Sequence, residues 1–172
     1  MKRVLLTGMS GVGKSTVIRE LVTRGFKAVD LDCDEYSEWV HVPPDSVIPG
    51  TPVEPHRDWV WREDRVGQLL SLEEGNVLFV SGCASNMKKF RAQFDAVILL
   101  SAPADLIVQR LAQRQGNAYG KRPEEVARVL DLIQTVEPLL RKSADHEIDS
   151  SQSLDEVVAE VLQLVQQPKK NR

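Results

Sequence analysis

Cysteine is nearly absent. Cys33 and Cys83 are the only two in 172 residues, and neither lies in a CxxC pair or at ligand spacing to a histidine. A disulfide framework and a structural zinc site are therefore excluded, and reduced thiols in a cytoplasmic protein are expected. Charge of one sign is lacking too: 22 basic against 25 acidic residues leave a net charge of −3, with no global basic field for nucleic acid or an anionic membrane. No apolar run approaches the ~20 residues that cross a bilayer. The opening "MKRVLLTG" starts like a secretory signal, but its apolar run ends at once in a glycine-rich loop, so no signal-peptide core forms. Internal repeats and low-complexity tracts are missing as well.

What is present is 42% hydrophobic residue content over the length of one domain, expected to span 1–166, with "QQPKKNR" leading into a disordered tail at 167–172. Short apolar runs at 3–8, 27–32, 76–82, 95–102 and 146–149 read as strands. Amphipathic stretches at 14–24, 56–74, 86–92, 103–114, 123–142 and 153–166 read as helices. Alternation of the two predicts an α/β fold: a three-layer arrangement with a five-stranded parallel sheet covered by helices on both faces. Pro103 and Pro123 suit first helical turns, Ser153 with Glu156 forms a capping box, and Pro138 predicts a break within 123–142. The stretch 41–55 holds five prolines and is too long for a simple connection, which makes it a candidate lid on the acceptor side.

The densest chemical signal is "TGMSGVGKST", residues 7–16. Gly8 through Ser15 follow the spacing GxxxxGK and then a hydroxyl, between an apolar run and an amphipathic stretch. Glycines there free the backbone N–H groups of Gly8, Met9, Ser10, Gly11, Val12, Gly13, Lys14, Ser15 and Thr16 to face anionic oxygens, and the helix start adds partial positive charge. Lys14 is placed to reach the β- and γ-phosphates of ATP, and Ser15 to bind Mg²⁺. At the end of the second strand, "DLDCDE" alternates Asp30, Asp32 and Asp34. Alternate residues of an extended chain share a face, so Asp30 and Asp32 point the same way, one to orient Mg²⁺ through water and one to accept a proton from an attacking hydroxyl. The stretch 109–125 gathers Arg110, Arg114, Lys121 and Arg122 around a short polar loop, a candidate lid at 115–122. In "PHRDWVWRED", Arg57 and Arg62 are candidates to grip an anionic acceptor and Trp59 or Trp61 to pack on it, although tryptophans at helical spacing with Val66 and Leu69 more often read as core residues.

With these motifs in place the chain resembles, over about 1–165, the small P-loop kinases that include adenylate, shikimate and gluconate kinases. The resemblance implies that Arg110 lies near the adenine, with Arg114 beside it on the nucleotide side, that Lys121 or Arg122 touches the transferred phosphate, and that Asp32 approaches the acceptor hydroxyl. Shikimate kinases carry a glycine triplet after the third strand and an arginine before a late "xPL"; here stand "SGC" and Glu137. Gluconate kinases are approximated by Gly50 to Val53 followed by Arg57 and Trp59, by the Arg110 to Arg114 helix and by Glu137–Pro138, yet their histidine-proline pattern after DxD is missing. The expected activity is transfer of the γ-phosphoryl of Mg-ATP to a small molecule, foremost a hydroxyl of a sugar-acid-like compound, by a monomer or homodimer. A nucleoside monophosphate kinase is the alternative. A nucleotide switch or ATPase acting on a protein partner is the alternative of another class, but "DRVG" at 64–67 lies in a helical pattern, no NKxD occurs, and neither later apolar strand ends in Asp.

Overall fold

The computed structural model describes residues 1–43, 56–116 and 119–166. The expected proline-rich lid 41–55 falls mostly outside the described residues, as do the tail 167–172 and positions 117 and 118 of the expected short lid. Within them, β1 (Lys2–Thr7), β2 (Lys27–Asp30), β5 (Val77–Ser81), β6 (Ala96–Ser101) and β7 (His146–Asp149) form one parallel sheet in the order β2-β5-β1-β6-β7. Side chains alternate across it, so Leu5 enters the apolar cluster on one face while Val4 and Leu6 enter that on the other. The first face is covered by α2 (Glu63–Ser71) and the 3-10 helix Met87–Gln93, through Val66, Leu69, Leu70 and Phe90. The second is covered by α1 (Lys14–Thr23), α3 (Ala104–Gln113) and α6 (Leu154–Gln166), whose Val17, Ile18, Leu21, Ile107, Leu111, Val157 and Val161 are buried at helical spacing. Burial on both faces is why β1, β5 and β6 read as nearly unbroken apolar runs.

The stretch 123–142 divides as Pro138 requires: α4 (Pro123–Thr135) ends, Val136 breaks the run, and α5 (Glu137–Ser143) restarts with Pro138 in its first turn. One element departs from expectation. Residues 57–61 are not the start of a helix but β4 (Arg57–Trp61), paired antiparallel with β3 (Ser37–His41) in a separate two-stranded sheet. The local alternation of Arg57, Asp58, Trp59, Val60 and Trp61 suits a strand. The fit of Trp61 to a helical period with Val66 and Leu69 arises because the strand delivers Trp61 to the same apolar cluster that α2 fills. Trp59, read as core, instead packs against Trp39, with ring centroids 5.1 Å apart and planes tilted by 59°, and the Arg57 guanidinium lies 4.3 Å over the Trp39 ring. This hairpin is tied to the main sheet by side chains. Ser37 donates to the Leu31 carbonyl at 2.6 Å, Ser85 donates to the buried Asp58 carboxylate at 2.6 Å, and Asn86 makes reciprocal bonds with the Trp61 backbone at 3.0 and 2.8 Å.

Candidate active site

The chain leaves β1 toward β2 on one side, and β6 lies on the other, so the carboxyl ends of β1 and β5 open a crevice where ligands bind in such sheets. A cleft of about 560 Å³ lies there, lined among others by Gly11, Lys14, Ser15, Asp32, Arg110 and Arg114. The phosphate loop sits where its sequence demands. Gly8 passes so close to β6 that a Cβ would come within 2.3 Å of the Leu100 carbonyl oxygen. Gly13, in the left-handed region at φ 100°, is the N-cap of α1, and no side chain caps that helix start. The first turn of α1 holds no acid, whereas the other five α-helices carry Glu63 and Asp64, Asp105, Glu124 and Glu125, Glu137, and Asp155 and Glu156 in theirs. Acidic side chains in the first turn are ordinarily stabilising. Their absence from this one helix keeps its partial positive charge for a phosphate.

Lys14 is buried, at 8% exposure, and its ammonium donates to the carbonyls of Gly8 at 2.8 Å and Met9 at 3.2 Å, with the Asp32 carboxylate 3.8 Å away. Burial raises the Asp32 carboxyl above the ordinary carboxylate range, although 31% of the side chain still meets solvent; Lys14 pulls it down, Asp30 pushes it up, and the Cys83 backbone N–H stabilises its charge. Asp30 is turned to a different task than Asp32. Its Oδ1 accepts from the Ser81 hydroxyl at 3.0 Å and from the Asp32 backbone N–H at 3.1 Å, which fixes the turn. Among the described residues no cluster of three His, Cys, Asp or Glu side chains could hold a metal by itself. The residues present fit Mg²⁺ in another way: the exposed Ser15 hydroxyl would supply one oxygen ligand, the rest coming from phosphates and waters, the usual manner for this small hard ion.

Arg110 and Arg114 both reach the cleft from α3. Arg110 donates to the Ser150 carbonyl at 2.6 Å and to the Val12 carbonyl at 3.4 Å, joining the loop after β7 to the phosphate loop. Arg114 donates to the Tyr119 carbonyl and, at 3.4 Å, to the Ser10 hydroxyl, and burial lowers its pKa. Lys121 and Arg122 stand apart, in front of α4 and outside the lining of the cleft. On the other side, Arg62 donates to the Asp34 carbonyl at 3.4 Å, so these two expected acceptor residues come together. Arg57 does not join them; it sits at the opposite end of β4, on Trp39.

Trp61 has a further contact beyond its expected place in the core, and Cys83, Ser81 and Glu125 contribute without having been singled out in the sequence. Trp61 lies against Gly82, at the end of β5, where a Cβ would come within 3.0 Å of the indole. Cys83 places its backbone N–H on Asp32, and burial pushes its thiol up, so the sulfur is neutral. Ser81 holds Asp30. Glu125 holds the lid turn, and its place three residues after Arg122 was a legible capping signal.

A phosphate loop between β1 and α1, a carboxylate pair at the end of β2 and a lysine between them define the class: phosphotransferases built on the three-layer P-loop architecture. A family described as "AAA domain" matches residues 4–131. The chain is 32% identical over 166 residues to a shikimate kinase of Rhodopseudomonas palustris, covering 91% of this chain and 79% of the relative. It is 26% identical to shikimate kinase 2 of Yersinia enterocolitica over 94% of each chain. The solved structure of shikimate kinase from Acinetobacter baumannii in complex with shikimate superposes with a TM-score of 0.63 at 18% identity, over 96% of this chain and 93% of the other. The chain belongs to this family and is a small P-loop kinase of the adenylate, shikimate and gluconate kinase type. The similarity to shikimate kinases gives no support to the sugar-acid expectation.

Proposed function

We propose that the protein transfers the γ-phosphoryl of Mg-ATP to a hydroxyl of a small hydroxylated carboxylic acid, with shikimate-like ring acids the first class to test and sugar acids the second. The relatives support the ring-acid class. Serine and cysteine flank Gly82, and Glu137 precedes Pro138, where shikimate kinases carry a glycine triplet and an arginine, so in this reading the acceptor contacts of this chain would be its own. The observation that carries the reading is the placement of Asp32: a carboxylate raised by burial, 3.8 Å from the phosphate-loop lysine, lining the nucleotide cleft.

In this mechanism the loop N–H groups and Lys14 hold the β- and γ-phosphates, and Arg110 and Arg114 bound the nucleotide side. Ser15, with Asp30 acting through water, would hold Mg²⁺, and the chemistry such an ion would supply is neutralisation of phosphate charge. The acceptor hydroxyl oxygen attacks the γ-phosphorus in line, the bond to the β-bridging oxygen breaks, ADP leaves, and the hydroxyl proton passes to ionised Asp32. Arg62 with the Asp34 turn would meet the acceptor's carboxylate, and Lys121 or Arg122 the transferred group.

The test is ADP release with Mg-ATP over a panel of hydroxylated acids, sugars and nucleoside monophosphates, repeated with Asp32→Asn. We expect one hydroxyl acceptor to stimulate turnover and the variant to lose on the order of 10² in rate while nucleotide affinity holds. Wild-type turnover by the variant with a hydroxyl acceptor would refute the role of Asp32. Stimulation by a nucleoside monophosphate alone would move the acceptor class to phosphate.

A further inference from the structure

The lid turn before α4 is built around one carboxylate. Glu125 Oε2 accepts from three consecutive backbone N–H groups, those of Gly120 at 2.8 Å, Lys121 at 3.2 Å and Arg122 at 3.2 Å. Its Oε1 accepts from the Arg122 guanidinium, from Nε at 3.0 Å and Nη2 at 2.7 Å. A run of backbone N–H groups facing one anion, reinforced by an arginine, is the arrangement that elsewhere recognises phosphate. Here a side chain of the same turn supplies the anion. The division of labour between the two oxygens matters. Oε2 caps the helix and shapes the backbone of the lid, while Oε1 engages the side chain of the very cation expected on the transferred phosphoryl group. That cation stays outside the lining of the cleft.

We propose that Glu125 is a latch that competes with the nucleotide for Arg122: the carboxylate acts as an internal stand-in for phosphate, and Mg-ATP binds productively when its terminal phosphate takes the guanidinium from Oε1 while Oε2 keeps the backbone in place. The proposal rests on the kinase reading above. It accounts for the unusual concentration of donors on one carboxylate, whose pKa is lowered to about 2, chiefly by the Arg122 side chain. Arg122 is itself 69% exposed, so the exchange needs no opening of the core. Arg122 Nη1 also lies 3.6 Å from Glu124, a weaker contact that the exchange would break as well.

Glu125→Gln separates the two functions, because an amide oxygen can still cap the backbone N–H groups but carries no charge for the guanidinium. The experiment is a double-mutant cycle of Glu125→Gln and Arg122→Gln, read by calorimetric binding of a nonhydrolysable ATP analogue with Mg²⁺, with thermal unfolding of each variant as the check on folding. In the Arg122 background we expect Glu125→Gln to tighten nucleotide binding about two- to five-fold, the range for releasing an exposed ion pair. In the Arg122→Gln background the same change should do nothing. The Arg122 Nε–H resonance of the wild type should shift when the analogue is added, toward its position in Glu125→Gln.

Equal tightening in both backgrounds would show a general charge effect and overturn the latch, as would unchanged or weaker binding by a folded Glu125→Gln. If Glu125→Gln unfolds, Glu125→Asp, too short to span both partners, takes its place in the cycle with the same outcomes. Failure of the wild type to bind the analogue would overturn the kinase reading along with the latch, whereas normal binding without coupling would overturn the latch alone.

Discussion

Two helix starts in this molecule face the same problem, a set of N–H groups with no partner inside the helix, and solve it in opposite ways. The start of α1 has a glycine N-cap, no acid in its first turn and no side-chain cap. The start of α4 has Pro123 and two glutamates, one of which, Glu125, accepts from the N–H of the cap Arg122 and of the two residues before it. The first arrangement gives up local stability to leave a site for an external anion. The second takes the stability and has no such site to offer. Helix propensity alone would favour the second everywhere, so the departure at α1 marks where binding outweighs local folding.

The contrast can be broken at its strongest point by Lys14→Ala. With the ammonium gone, turnover should fall by on the order of 10² to 10³, measured as ADP release at saturating Mg-ATP. Because Lys14 is buried and bonded to the Gly8 and Met9 carbonyls, the variant should also lose about 1–3 kcal/mol of stability. An active variant of unchanged stability would show that the lysine serves neither role.

Thr16→Glu makes the start of α1 resemble that of α4, since position 16 stands three residues after the cap Gly13 as Glu125 stands after Arg122. The new carboxylate should occupy the loop N–H groups and weaken nucleotide binding on the order of 10- to 100-fold, with the melting temperature held or raised. Calorimetry beside thermal unfolding checks this. Loss of both affinity and stability would mean that the loop cannot accept a carboxylate as the lid turn does.

The smallest effect is acid sensitivity. The Glu125 carboxyl, lowered in the folded protein from 4.5 to about 2, contributes stability that is fully present above 4.5 and fades as pH falls toward about 2. The start of α1 has no first-turn carboxylate and should show no matching local loss. Amide exchange followed residue by residue between pH 5 and 3 should therefore weaken protection at Gly120 to Arg122 before that at Thr16 and Val17. Simultaneous loss at both would remove the distinction.

The half of the site around α1 was legible in the sequence because its chemistry is backbone chemistry, and glycine spacing encodes backbone directly. The five strands of the main sheet were legible for a related reason, since strands buried on both faces leave continuous apolar runs. The hairpin was not. Strand β4 pairs with β3, across a stretch in which sequence distance hides the partner, and Trp61 happens to fall in helical register with Val66 and Leu69. Ser81 and Cys83 were equally hidden. Nothing about a serine or a cysteine at a strand end announces that its hydroxyl or amide will meet a carboxylate from a neighbouring strand. Asp30 and Asp32 share a motif yet meet different partners, Ser81 for the first and Lys14 with the Cys83 N–H for the second.

Trp39, Trp59 and Trp61 are the only tryptophans in the sequence, and all three lie on the β3–β4 hairpin. The natural fluorescence of the protein is thus a local instrument, already installed and needing no label. Trp61, buried against Gly82, should emit toward the blue, and the more exposed pair Trp39 and Trp59 toward the red. A compound that perturbs the end of β5 should change the first band, one that touches the Trp39–Trp59 pair the second, and events confined to α1 should leave the spectrum still.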